Sequence, residues 1–345
     1  MYIREIYKSL LTKANDCRVI VGRSLATGFE RHVVLALALV AGPLAATAQM
    51  GTEESKALAT QVPIADVHMH LYLGLTPAEL KSAMDRNNVR WGGGVGPVGP
   101  GYDPKDFSKM LGNRYFPAGA NSELYELFQL GGASAMQDAD GESFKALAKK
   151  VTEQFVKKEI TGIGELVLNN SASSYTPSFR RKVKINAETV LVLFGIAEKH
   201  KGFVSIHMDN DGDSVQELES VVSRFPTVPV ILSHCMSRAS AGDAKSLLER
   251  YPNLYCDTSF RSSARISAPA LQRYMIHTRG VADSDWLALM EAMPDRFMVG
   301  SDVYTKDVSY DGIIEAIRTG LLQHLSVPTL RKVAFENAQR VFRLQ

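Results

Sequence analysis

From residue 61 onward, short apolar runs alternate with longer stretches in which apolar residues recur at helical spacing. The short runs predict strands at 62–67, 87–91, 114–118, 161–167, 202–206, 228–233, 253–257 and 297–301. The longer stretches predict helices over 77–86, 143–158, 187–200, 213–224, 242–250, 283–292 and 311–323. Thr76, Pro77 and Glu79 open the first helix with a cap residue, a proline at the first helical position and an acid at the third. Asp213 and Ser214 begin another in similar style. Alternation of strand with helix implies a parallel sheet, and eight repeats fit a (β/α)8 TIM barrel, one domain over 61–345. An open doubly wound sheet is the rival. It calls for a Gly-rich phosphate turn after an early strand, and HMHLYLGL after the first strand has none.

The N-terminus follows a different pattern. Residues 33–48 read VVLALALVAGPLAATA behind Arg31 and His32. A basic flank, an apolar run, a Gly-Pro break and a small-x-small ending describe a secretory signal over 1–48, cleaved before Gln49. Residues 49–60 then form a short linker, and the mature protein is exported, periplasmic or secreted. The run is short and interrupted for a membrane span, so no stable anchor is expected after cleavage.

Removing 1–48 changes the charge balance. The 345-residue chain carries 39 Lys and Arg against 37 Asp and Glu. The leader takes six of those bases and three of the acids, which leaves a formal charge of −1. A near-neutral protein without a basic stripe gives no reason to expect nucleic acid as a partner. The apolar and charged contents of the full chain, 45% and 22%, are those of ordinary globular chains. Cys235 and Cys256 remain after cleavage, on adjacent predicted strands with flanks that turn them under the helices as buried thiols.

Ligand-type residues cluster at the C-terminal ends of the predicted strands. His68 and His70 end the first, His207 ends FVSIH, and His234 ends VILSH. Glu165 in GIGEL, Asp257 in LYCD and Asp302 in MVGSD occupy three more ends. In a barrel those ends converge on one mouth. Two residues one apart face the same side of a strand, so His68 and His70 can reach one ion. Any one of these residues alone reads equally as a hydrogen-bonded structural group; the joint placement is what points to a divalent metal. Imidazole and carboxylate donors suit zinc first, with manganese and iron(II) compatible.

The ordered set DVHMH (66–70), GIGEL (162–166), SIH (205–207), LSH (232–234) and GSD (300–302) resembles the amidohydrolase superfamily of metal-dependent barrel hydrolases. The amidohydrolase-2, decarboxylase-like branch is closest, and ENAQRVFRL (336–344) is similar to its closing helix. The resemblance covers about 61–345. It implies that His68, His70 and Asp302 hold a buried metal, with His207 and His234 holding a second or completing the first. Glu165 stands where two-metal members carry a bridging carboxylate. GIGEL also resembles the strand-4 motif of TatD-like nucleases, and decarboxylases of the branch use one zinc and no bridge.

The chemistry that follows is hydrolysis of a small amide, lactone or ester, with Asp302 as proton shuttle and His234 polarising the carbonyl. The alternatives are a one-zinc nonoxidative decarboxylase and an exported metal-binding protein without catalysis. Arg261 and Arg265 after the seventh strand, and Tyr304 and Lys306 after the eighth, are the candidates to hold a small-molecule substrate. Trp91 and the Gly-rich 92–101 segment are candidates to shape the mouth, and Asp257 to orient a ligand histidine or cap its strand. Homodimerisation is compatible with all of this.

Overall fold

A computed structural model describes residues 51–98, 104–174, 177–266 and 269–345. The predicted leader lies outside the described residues. Eight parallel strands form the wall: β1 (Ile64–Asp66), β2 (Val89–Gly93), β3 (Tyr115–Phe116 and Ala118–Ala120, interrupted at Pro117), β4 (Gly162–Asn169), β5 (Phe203–Met208), β6 (Val230–Leu232), β7 (Leu254–Asp257) and β8 (Phe297–Met298). Each pairs with the next in chain order, β1 with β2 and β2 with the first half of β3, then the second half of β3 through to β8. The seam between β8 and β1 closes by main-chain bonds: Val67 N donates to Val299 O at 3.1 Å and Asp302 N to His68 O at 2.8 Å. This is a closed (β/α)8 barrel, as the alternation of patterns predicts.

Helices pack outside the strands. They are α1 (Glu53–Gln61), α2 (Pro77–Arg86), α3 (Pro104–Leu111), α4 (Asn121–Gln137), α5 (Glu142–Val156), α6 (Glu188–Lys199), α7 (Gly212–Arg224), α8 (Ala241–Arg250), α9 (Ser284–Ala292), α10 (Tyr310–Gly320), α11 (Val327–Arg331) and α12 (Asn337–Phe342). Strands covered on both faces read as near-continuous apolar runs, and Val230, Ile231 and Leu232 of β6 are accordingly all buried. Each such side chain contributes about 1.5–3 kcal/mol by leaving water.

The local rules set several boundaries. Thr76 caps α2 as its sequence predicts: its hydroxyl accepts from Glu79 N, and Glu79 returns a bond to Thr76 N at 2.9 Å. For α7 the cap is Asp211, which accepts from Ser214 N at 3.1 Å, so the helix starts before the expected Asp213. The segment expected as linker carries α1. Its C-terminal end is tied to the barrel floor by Arg318 of α10, which donates to Ala59 O (2.6 Å), Val62 O (2.9 Å) and Asn87 O (2.8 Å). Trp91 does not shape the mouth: it is buried, stacks on Phe335 and donates to Gln345 O at 3.0 Å. Cys235 and Cys256 are buried free thiols. Among the described residues, no helix is long and apolar enough to cross a membrane.

Candidate metal centre

Six side chains meet at the C-terminal mouth. His68 and His70 follow β1, Glu165 lies in β4, His207 in β5, His234 in the turn after β6, and Asp302 just past β8. The Nε2 atoms of His68 and His70 are 3.2 Å apart. Asp302 Oδ1 is 3.4 Å from each of them. Glu165 stands between two pairs of rings. Its Oε2 faces His68 Nε2 (3.6 Å) and His70 Nε2 (3.8 Å). Its Oε1 faces His207 Nδ1 (3.1 Å) and His234 Nε2 (3.5 Å). All six predicted ligand residues are therefore brought together, and all but His207 are buried.

The far nitrogens decide what the near ones can do. His68 Nδ1 is 3.0 Å from Asp257 Oδ2, His70 Nδ1 is 2.7 Å from Gly96 O, and His234 Nδ1 is 3.1 Å from Ser259 O. A carboxylate and two carbonyls can only accept, so each Nδ1 carries a proton and each Nε2 is the atom turned towards the centre. Two imidazole nitrogens 3.2 Å apart repel unless a proton or a metal cation lies between them. His207 is reversed: Nδ1 faces the centre, and Nε2 lies 3.4 Å from Ser173 Oγ and 3.3 Å from Ser237 Oγ.

The electrostatics make the same demand. Burial opposes charge on His68, but Glu165, Asp257 and Asp302 outweigh it and hold its pKa well above the ordinary value. Burial likewise opposes ionisation of Glu165 and Asp302. The surrounding histidines outweigh that for Glu165, and with Arg265 they do so for Asp302, so both carboxyls stay far below the usual range. A buried group of carboxylates and imidazoles that needs positive charge, with its ring nitrogens already aimed inward, fits a divalent metal. His68, His70 and Asp302 form one triad with ligand atoms mutually within 4.8 Å, and His68, Glu165 and His234 form another.

Asp257 is legible as a strand-end acid, and the structure gives it both expected tasks. It receives His68 Nδ1–H and also accepts from Ser259 N at 2.9 Å and from the Ser259 hydroxyl. Asp66, in the same motif as the two histidines, has no role assigned from sequence. Its carboxylate accepts from His68 N (3.2 Å), Ser301 N (2.8 Å) and the Tyr310 hydroxyl (3.0 Å), so it stitches the ligand-bearing ends of β1 and β8 together. His234 and Asp302 sit at φ +57° and +52°. Left-handed backbone costs a non-glycine residue about 1–2 kcal/mol, and here it falls on two residues of the centre.

The centre floors a cavity of about 630 Å³. Tyr125, Phe179, Phe260, Tyr274 and Tyr304 line it, so the predicted Tyr304 is in place. Arg265 has a buried side chain, 3.8 Å from Asp302 Oδ2, and lies over the rings of Phe260 and Tyr304. Arg261, expected to reach substrate, also borders the cavity, but its guanidinium is committed elsewhere. It donates to the carbonyls of Tyr274 (2.7 Å), His234 (3.3 Å) and Ala239 (2.7 Å), and so braces the loops that carry His234. Lys306 turns away to Glu79 at 3.5 Å. Sequence reasoning missed Arg181, which lines the cavity from the segment after β4.

Residues 183–344 match the family model described as Amidohydrolase. The amidohydrolase match contains His207, His234 and Asp302; His68, His70 and Glu165 lie before it and join them through the geometry above. Among solved structures, an amidohydrolase from Burkholderia multivorans with bound HEPES is 13% identical, covers 82% of this chain and 100% of its own, and has a TM-score of 0.50, a likeness of fold. A dihydroorotase from Campylobacter jejuni (15% identity, 82% and 84% covered, TM-score 0.47) and a 2,6-dihydroxybenzoate decarboxylase from Rhizobium (13%, 82% and 99%, 0.46) are further matches. No curated protein matches the sequence.

Proposed function

We propose that this protein is a metal-dependent hydrolase of the amidohydrolase type that opens a small amide, lactone or ester. The observation that supports it is Glu165, whose two oxygens each face a separate pair of histidines. That arrangement suits a carboxylate shared by two ions, a feature that serves hydrolysis. Bound there, divalent metal supplies Lewis acidity and makes water acidic enough to attack near neutral pH. The chain's own groups do the rest. His68, His70 and Asp302 would hold one ion, and His207 and His234 the other. Asp302, ionised and beside the cavity, accepts the proton of the attacking water and delivers it to the leaving group. His234, its Nδ1–H anchored on Ser259, keeps Nε2 turned to the centre, where it would serve as a ligand and not as a donor to the substrate carbonyl. Arg265 lies against Asp302 and favours its ionised form. Zinc is the ion proposed, and export through the 1–48 leader is part of the same reading.

Metal analysis of the purified protein, joined to a screen of amides, lactones, esters and aromatic carboxylates, tests this. About two zinc ions per chain are expected, with Glu165→Gln reducing the content to about one and abolishing hydrolysis. One zinc in the wild type, unchanged by Glu165→Gln, with release of carbon dioxide from an aromatic carboxylate would overturn the hydrolase in favour of a decarboxylase. Tightly held metal without turnover of any substrate would favour a binding protein.

A further inference from the structure

The cavity contains a cation that the metal centre does not use. Arg181 is fixed from behind: its Nε donates to Val167 O at 2.8 Å, and its main chain exchanges bonds with Asn170, N to Oδ1 at 2.9 Å and O from Asn170 N at 3.1 Å. Its guanidinium lies over the rings of Phe128 (4.9 Å) and Tyr125 (5.7 Å), and Tyr125 stacks on Phe179 (5.9 Å). Burial disfavours its charged form. Yet Nη1 is buried with no hydrogen-bond partner among the described residues. An unpaired buried N–H costs about 1–3 kcal/mol, more on a charged group, and native proteins rarely leave one without a use. Arg238 also lines the cavity and has a buried Nε without a partner; Arg181 differs in having its guanidinium fixed by Val167 O and two aromatic rings. A planar guanidinium held by aromatic faces and one carbonyl is ordered before any ligand arrives, with a donor edge left to meet an anion.

We propose that Arg181 is a specificity-determining residue: it binds an anionic group of the substrate, a carboxylate, on the α4 side of the cavity. This rests on the cavity being the substrate site of the proposed hydrolase. Binding gives the guanidinium a charge-assisted bond on the edge that borders the cavity. It also holds the rest of the substrate between the aromatic wall and Glu165. Neutral substrates of the same shape leave the arginine unpaired and bind more weakly.

Calorimetry on the zinc-loaded full protein tests the proposal, with benzoate as the anionic probe and benzyl alcohol as its neutral counterpart. Zinc content is measured on the same samples. Wild type is expected to prefer benzoate by at least about tenfold. Arg181→Gln should lose that preference, Arg181→Lys should keep part of it, and Arg265→Gln should leave most of it. No preference in the wild type overturns the proposal whatever the variants do. So does a preference that survives in Arg181→Gln, since benzoate then binds the metal, Arg238 or Arg265. If Arg181→Gln does not fold, equal loss of preference in Arg181→Lys and Arg265→Gln overturns it. The two readings fail separately. A protein without zinc that still selects benzoate through Arg181 refutes the hydrolase alone. A zinc hydrolase indifferent to Arg181 refutes this assignment alone.

Discussion

At the scale of single residues, Asp302 and His277 show the same force with opposite results. Asp302 is buried yet ionised, because histidines and Arg265 surround it. Asp302→Asn keeps the size and removes the proton acceptor. Turnover should fall on the order of 10³-fold with the far-ultraviolet circular dichroism unchanged; activity near wild type would remove Asp302 from its proposed role. His277 is buried without a carboxylate partner, and burial, aided by His324, pushes its pKa down from 6.5 to about 4. The folded value lies below the unfolded one, so between them the unfolded chain holds a proton that the folded chain lacks. Stability is complete above pH 6.5 and falls as the pH drops towards 4, by on the order of 3 kcal/mol from this group. Urea unfolding across that range should show a slope that His277→Gln flattens.

Among the elements, β4 places Glu165 between the two pairs of histidines, and it does so through a glycine. Gly164 has φ +133°, and a Cβ there would stand 2.6 Å from Ser205 O and 2.9 Å from Ser205 Cβ on β5. Gly164→Ala should cost about 2 kcal/mol or more in urea unfolding, and the displaced Glu165 should lower zinc occupancy. An unchanged midpoint would mean that β4 and β5 separate without penalty. The element pattern was largely legible: α2 matches its expected range residue for residue, and β4 to β7 fall where the apolar runs lie. What escaped has physical reasons. In α4, Gly131 and Gly132 take non-helical angles inside a continuous run, and read locally they look like a break. β3 is split at Pro117, which has no N–H to give a ladder. The six centre residues were legible because strand-end placement is a sequence property in a barrel. Arg181 was not, because its importance comes from Phe128, Tyr125 and an empty hydrogen-bond position, which only the folded chain assembles. For Arg261 the residue type was right for an anion, but its donors had carbonyl partners invisible in the sequence.

Over the whole molecule, the candidate ligands come from β1, β4, β5, β6 and β8, while Arg318 ties α1 and α10 together at the opposite end. Chemistry and closure of the floor are therefore carried by different ends of the barrel. Chelation of the metal should lower the melting temperature on the order of 10 °C, read by differential scanning fluorimetry with and without a chelator and restored by added zinc. No change would mean that the centre contributes nothing to the fold. The seam explains why a change is expected. β8 has only two regular strand residues, and the last strand meets the first through few main-chain bonds. His68 and Asp302 lie on opposite sides of that join, with Asp66 stitching across it. An ion gripped by both works as a clasp on a hoop: its departure loosens the place where the two ends of the chain's circuit meet, so metal starvation would expose this protein to proteolysis at the β8–β1 join before any other part of the wall.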